Sequence, residues 1–410
     1  MQADRRKTFG KMRIRINNLF FVAIAFMGII ISNSQVVLAI GKASVIQYLS
    51  YLVLILCIVN DLLKNNKHIV VYKLGYLFLI IFLFTIGICQ QILPITTKIY
   101  LSISMMIISV LATLPISLIK DIDDFRRISN HLLFALFITS ILGIMMGATM
   151  FTGAVEGIGF SQGFNGGLTH KNFFGITILM GFVLTYLAYK YGSYKRMDRF
   201  ILGLELFLIL ISNTRSVYLI LLLFLFLVNL DKIKIEQRQW STLKYISMLF
   251  CAIFLYYFFG FLITHSDSYA HRVNGLINFF EYYRNDWFHL MFGAADLAYG
   301  DLTLDYAIRV RRVLGWNGTL EMPLLSIMLK NGFIGLVGYG IVLYKLYRNV
   351  RILKTDNIKT IGKSVFIIVV LSATVENYIV NLSFVFMPIC FCLLNSISTM
   401  ESTINKQLQT

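Results

Sequence analysis

Apolar runs of membrane-span length recur along the whole chain, and they constrain its fold more than any other feature. A helix of about 20 apolar residues crosses a hydrocarbon core about 30 Å thick. The expected spans are 19–40, 44–63, 72–92, 98–119, 130–150, 172–190, 200–213, 216–230, 245–264, 333–347, 364–378 and 381–398. They predict an all-α fold, a polytopic helical integral membrane protein with about 12 transmembrane helices. Composition agrees, with 58% hydrophobic and 14% charged residues and a mean hydropathy of +0.74. A closed barrel would alternate apolar and polar residues instead of running apolar continuously. The basic N-terminus MQADRRKTFGKMRIR precedes an apolar run too long for a signal-peptide core, which predicts a retained first span.

Orientation follows from lysine and arginine placement. With the N-terminus in the cytoplasm, 27 of the 37 basic residues fall inside and 10 outside. Both termini are then cytoplasmic, and a multi-pass protein of the cytoplasmic membrane is expected. The formal charge of +17 reads as topology and contact with anionic membrane lipids, not as nucleic-acid binding. Residues 1–264 carry spans 1–9 with an outer loop at 151–171. Residues 265–332 form a large extracytoplasmic cap between spans 9 and 10, and residues 333–410 carry spans 10–12 and a cytoplasmic tail. Within the cap, RVNGLINFFEYYRNDWFHLM places Leu276, Phe279, Phe280, Tyr283 and Trp287 at helical spacing. That stripe predicts an amphipathic helix lying on the membrane face.

The stretch TLEMPLLSIMLKNGFIGLVGYG, Thr319–Gly340, looks like one span with a lysine in its middle. Helix punctuation divides it. Thr319 suits an N-cap, Pro323 a first turn, and Lys330-Asn331-Gly332 a helix end with glycine just beyond it. A short surface helix over 320–330 is expected, with the true span starting at Phe333.

Polar residues on the outer side carry the functional signal. In FILGLELFLILISNTRSVYLILLLFLFLVNL two apolar runs flank Asn213-Thr214-Arg215-Ser216. Each is about 15 residues, or about 22 Å, so the tip falls short of the outer interface. Arg215 is then either a fixed cation in an outward cleft or an arginine snorkelling to lipid phosphate. The loop GGLTHKNFFG closes a glycine-rich segment and starts a span at His170-Lys171-Asn172. Backbone N–H groups and Lys171 there suit an anion, or the segment is simply a capping turn. The cap adds His271-Arg272 and, in AIRVRRVLGWNGTLE, Arg309, Arg311, Arg312 and Glu321. Arginine suits bidentate recognition of phosphate oxygens, and several at one membrane surface suggest a pyrophosphate. Glu376-Asn377 and Asn381 mark an outer hairpin or contact a sugar. Gln90, Gln91 and Glu205 read as interhelical contacts.

Cys57, Cys89, Cys251, Cys390 and Cys392 all lie in apolar runs and read as buried thiols without disulfides. No outward carboxylates or histidines have ligand spacing, so no cofactor and no metal is expected.

The set GGLTHKNFFG, ISNTRSVYLI and GWNGTLEMPLLSIMLKNGFIGL, in this order over residues 160–345, resembles the superfamily of bacterial O-antigen ligases and Wzy-type polysaccharide repeat-unit polymerases. The resemblance implies a glycosyltransferase that polymerises undecaprenyl-pyrophosphate-linked oligosaccharides into O-antigen, capsule or exopolysaccharide on the extracytoplasmic face. It implies no nucleotide sugar and no metal, with a chain-length regulator as a possible partner. Arg215 resembles the essential outer-hairpin arginine. Asn317 and Glu321 resemble the asparagine and glutamate of the ligases' His-Asn-x-x-Leu-Glu pattern, while Trp316 stands where a ligase has its histidine. That departure favours the polymerase branch. Arg215, Arg272, Arg309, Arg311, Arg312 and Lys171 are the implied pyrophosphate contacts, and Trp316 and Asn317 the glycan contacts. Glu321, His271 and His170 are, in that order, the candidate bases. A ligase is the alternative within the enzyme class, and a lipid-linked oligosaccharide flippase the alternative outside it.

Overall fold

The computed structural model describes residues 18–64, 71–91, 93–114, 117–153, 162–193, 195–229, 267–299, 305–314 and 323–407. Side chains are described at all of these except 71–73, 267–272, 298, 299, 306, 307, 374, 375 and 404–407. The first helices are α1 (Asn18–Ser32), α2 (Gln35–Ala39), α3 (Ala43–Lys64), α4 (Val71–Gln90), α5 (Ile95–Thr113) and α6 (Asp123–Met145). Next come α7 (Lys171–Tyr191), α8 (Arg196–Ser212) and α9 (Arg215–Asn229). The cap holds α10 (Asp267–Tyr282), α11 (Trp287–Phe292), α12 (Asp296–Tyr299) and α13 (Asp305–Val313). Last are α14 (Pro323–Arg351), α15 (Asp356–Val375) and α16 (Phe386–Gln407). Among the described residues sheet is confined to a two-residue pair, β1 (Phe151–Thr152) against β2 (Gly163–Phe164).

Helices stand at eleven of the twelve expected span positions; the segment 245–264 lies outside the described residues. Among the described residues five helices are long and apolar enough to cross a membrane: α3, α5, α6, α7 and α14. The architecture is that of an all-α membrane protein. The first expected span, 19–40, is not one helix. It breaks at Asn33, whose Nδ2 donates to the carbonyls of Ile29 (2.8 Å) and Ser383 (2.7 Å). Ser34 then caps α2 by accepting from the Val37 N–H. A side chain that competes for the helix's own carbonyl ends the ladder there.

Contacts define the two ends of the bundle. At one end α5 finishes beside α14 and α16, where Lys345 Nζ donates to the Ala112 carbonyl (3.0 Å) and Asn395 Nδ2 to that of Leu111 (2.7 Å). Arg126 on α6 grips Asp198 on α8 with two 2.7 Å bonds at the same end. Both side chains are buried, and a bidentate geometry of this kind satisfies the desolvated charges. At the other end lie the short turns after α1, α4 and α8, the glycine-rich loop, the 376–385 turn and the cap. The helix between these ends that is most enclosed is α7, with Ile178, Leu179, Met180, Val183 and Leu184 at or below 1% exposure. Around it pack α6, α8, α9 and α16. Cys57, Cys390 and Cys392 are buried, Cys89 is instead exposed on the last turn of α4, and Cys251 lies outside the described residues.

The cap has a small core of its own, formed by Phe279, Tyr283, Ala294, Leu297, Val310, Leu314, Leu325, Met328 and Leu329. This corrects the expected membrane-lying stripe. Phe279 and Tyr283 are covered by the first part of α14 rather than by lipid, and Leu276 and Phe280 pack beside them. Trp287 does not belong to the same helix. Residues 283–286 break the chain, and Asp286 caps α11 by accepting from the His289 N–H (3.2 Å).

The break in α14 falls where the punctuation places it, while the expected N-cap Thr319 and residues 320–322 lie outside the described residues. Gly332 is non-helical, at φ 61° and ψ −160°, and divides a 323–331 segment from the long helix that follows. A Cβ at Gly332 would collide with the Met291 carbonyl. Gln91, at the end of α4, closes this junction. Its Nε2 donates to the carbonyls of Phe292 (2.6 Å) and Lys330 (2.9 Å), and its Oε1 accepts from the Ala295 N–H. Asn331 Nδ2 reaches the Phe84 carbonyl (2.7 Å). Gln91 is thus an interhelical contact, and so is Glu205, which accepts from Ser129 (2.8 Å) and Thr185 (3.1 Å) inside the bundle, whereas Gln90, expected to be one too, is exposed.

Candidate functional site

The α8–α9 hairpin turns in two residues because Asn213 takes the left-handed conformation at φ 47°. Asparagine tolerates that region better than most residues. Thr214 then starts α9, its carbonyl accepting from the N–H groups of Val217 and Tyr218. Ser212, Thr214 and Ser216 are buried in the tip, while Arg215, the first residue of α9, is exposed.

The described end of the glycine-rich loop, residues 162–163, lies against this tip. Asn213 Nδ2 donates to the Gln162 carbonyl (2.9 Å), and Gly163 lies so close to Ser212 that a Cβ would strike its carbonyl. Lys171 Nζ donates to the Asn213 carbonyl (3.2 Å), and the Lys171 N–H to Thr152 Oγ1 (2.9 Å). His170 caps α7, its Nδ1 accepting from the Asn172 N–H (3.2 Å). The 376–384 turn reaches the tip from the opposite side. There the Tyr378 hydroxyl lies 2.9 Å from Ser216 Oγ, and Phe384 stacks on Phe173 with ring centroids 4.4 Å apart. Glu376 and Asn377 are buried in that turn.

The electrostatic consequence is specific. Helices α7 and α9 both begin here, so two positive dipole ends adjoin. Each carries a cation at its first position, Lys171 and Arg215. A cation placed there costs about 0.3–1 kcal/mol of helix stability, and the same arrangement raises the local potential for an anion. The two sequence stretches GGLTHKNFFG and ISNTRSVYLI therefore meet in one place, bringing His170, Lys171 and Arg215 to one end of the bundle.

The cap arginines belong to a second body of structure. Val310 and Leu314 bury one side of α13 in the cap core; Arg309 and Arg312 are exposed and Arg311 is half-buried. Asn278 on α10 holds the end of α13 by donating to the Val313 carbonyl (3.0 Å). His271 and Arg272 lie on α10, with side chains outside those described, and Trp316, Asn317 and Glu321 lie outside the described residues. In the turn before α11, burial pushes the Asp286 carboxyl up, but the hydrogen bonds and charge of His289 (Nδ1 to Oδ2, 2.6 Å) outweigh it and leave the group below its usual range.

Sequence reasoning missed the Ser216–Tyr378 contact, which joins residues 162 positions apart, and Gln35. Gln35 Nε2 binds the Thr149 and Leu168 carbonyls and its Oε1 accepts from the Thr149 N–H, holding the base of the glycine-rich loop. Its polar side chain inside an expected apolar span was the available signal. Among the described residues no three histidine, cysteine, aspartate or glutamate side chains gather in a metal-binding group. Compared with known proteins, the chain matches no family model and no curated protein.

Proposed function

We propose that the protein is a metal-independent glycosyltransferase of the extracytoplasmic face. It joins undecaprenyl-pyrophosphate-linked oligosaccharide repeat units into a surface polysaccharide. The observation that carries the reading is the paired helix start at the hairpin tip, where Lys171 and Arg215 stand at the adjoining N-termini of α7 and α9. A departing pyrophosphate is the kind of anion such a site favours. In this reading the bundle end bearing the tip and the cap faces outward, and the twelve spans place both termini in the cytoplasm.

The reaction needs little beyond positioning and charge. The growing chain on its lipid pyrophosphate is the donor, and a hydroxyl of a second lipid-linked unit is the acceptor. The acceptor oxygen attacks the anomeric carbon, the bond to the pyrophosphate oxygen breaks, and the acceptor proton passes to a base. Arg215, with Arg272 and the arginines at 309, 311 and 312, stabilises the leaving group. Such stabilisation is worth about 3–4 kcal/mol per group. Glu321 is the first choice for the base, then His271 and His170, and a base contributes about 10²–10⁴-fold. Trp316 and Asn317 contact the glycan.

Gene deletion followed by gel analysis of the polysaccharide tests the proposal. Products stopped at a single repeat unit support a polymerase. Long chains that never reach their surface acceptor would point to a ligase, and lipid-linked units accumulating inside would point to a flippase.

A further inference from the structure

The cap holds an apolar surface that its own core does not use. On α11, sequence WFHLMF, Trp287 is 68% exposed and Met291 38%, one helical turn apart. Leu290 on the other side packs against the cap core. Arg284 and Asn285 are exposed in the turn just before the helix. An exposed tryptophan of this kind in a water-facing loop leaves a large aromatic surface hydrated.

The height of α11 identifies what covers it. Phe292, its last residue, is held through its carbonyl by Gln91, and that carbonyl lies where a Cβ on Gly87 would come within 2.9 Å. Gly87 is in the last turn of α4. The short helix therefore sits level with the end of α4 and not above it. On the apolar helix α4 itself Phe78, Leu79 and Phe82 are 66%, 44% and 57% exposed, a side suited to contact with lipid. On α5, which starts at the same end, Ile95 and Ile99 are 70% and 53% exposed. Exposed apolar side chains of the spans thus reach the level at which α11 sits. Tryptophan is enriched at the headgroup level, and arginine meets lipid phosphate there.

The geometry points to α11 as an interfacial anchor. Trp287 and Met291 enter the headgroup–acyl boundary of a glycerophospholipid leaflet, and Arg284 meets a lipid phosphate. The cap is thereby pinned to the membrane surface at the same place where Gln91 and Gly332 fix it to the bundle. This inference rests on the membrane-spanning character of the chain and not on the reaction proposed above.

The unmodified protein suffices for the test. It is reconstituted in phosphatidylcholine vesicles with and without phosphatidylglycerol, each doped with a phospholipid carrying a diazirine near the headgroup. After illumination the labelled peptides are located by mass spectrometry. A second sample is exposed to water-borne hydroxyl radicals. The expected result is lipid label on the Trp287–Met291 peptide within about threefold of that on the Phe78–Phe82 peptide, rising with phosphatidylglycerol. Oxidation of Trp287 should fall severalfold relative to protein unfolded in denaturant. Free oxidation of Trp287 without lipid label would overturn the anchor and leave a water-facing surface. Protection from oxidation without lipid label would overturn it too, since protein would then be the cover. Neither result would touch the glycosyltransferase reading, which the deletion phenotype decides separately.

Discussion

Gln91 is a single side chain on which the seating of the cap should depend. It is 4% exposed and makes three bonds, to the carbonyls of Phe292 and Lys330 and from the Ala295 N–H. Gln91→Leu keeps most of the volume and removes all three. A typical bond contributes about 0.5–1.5 kcal/mol net, and a buried group left unpaired costs about 1–3 kcal/mol. Partial relaxation of the three backbone groups puts the loss near 3–5 kcal/mol for the local junction. That corresponds to an increase of at least about two orders of magnitude in the open population. Amide hydrogen exchange on protein in lipid nanodiscs reads this directly. Peptides from 287–299 and 323–331 should exchange about 100-fold faster in the variant, while α7 stays unchanged. Gln90→Leu, at an exposed position one residue earlier, should change nothing. Exchange in the 287–331 peptides within threefold of the parent protein would refute the reasoning, because the three bonds would then carry no net energy.

Gly332→Ala should destabilise the junction by about 1–3 kcal/mol through backbone strain alone, with the Met291 carbonyl clash added. Gly340→Ala, where an added Cβ meets open space within a helix, should be neutral or stabilising by up to about 1 kcal/mol; thermal unfolding of the two variants compares them. Arg215→Lys should lower polymer formation at least about tenfold at matched protein level, since lysine offers a point charge and not a planar fork. Full-length product ladders from Arg215→Lys would show that any cation suffices. Cysteine at Met146, which is 67% exposed, should react with a membrane-impermeant reagent in intact cells, and cysteine at exposed Lys195 should not; labelling at 195 would reverse the topology. Asp286→Ala should cost about 1 kcal/mol as a lost N-cap. With its carboxyl held below the usual range, that contribution is present above the unfolded pKa near 4 and fades as pH falls through the lower folded value. Exchange at α11 measured from pH 6 down to pH 3 checks the direction.

Legibility in the sequence followed the range of the interactions involved. The α8–α9 hairpin was readable because two apolar runs and Asn213 state it within one short segment. The division of 319–340 was readable because Lys330-Asn331-Gly332 is a local helix end, and the structure turns there. The break in the first span was not. Asn33 looks like one polar residue in an apolar run until its side chain is seen bonding Ser383, 350 residues away. The aromatic stripe from Leu276 to Trp287 failed for a related reason. Periodicity alone ran through Asp286, although an aspartate before an apolar turn is itself a helix-start signal. The cover over Phe279 and Tyr283 comes from α14, more than 40 residues on, and no local pattern announces it.

The position of Lys171 shows how the same limit applies to the site. Read along its own helix, a lysine at the first residue of α7 is electrostatically misplaced, and that mismatch was the sequence signal for an anion site. In the fold its Nζ reaches the carbonyl of Asn213, just past the end of α8. A cation at a helix C-terminus is favourable, by about 0.3–1 kcal/mol. Lys171 therefore opposes one dipole and complements the neighbouring one, and the bond holds the residue that sets the hairpin turn. Arg215, two residues beyond Asn213, is exposed at the start of α9. Lys171 thus has a partner within the turn, and Arg215 is the exposed cation beside it.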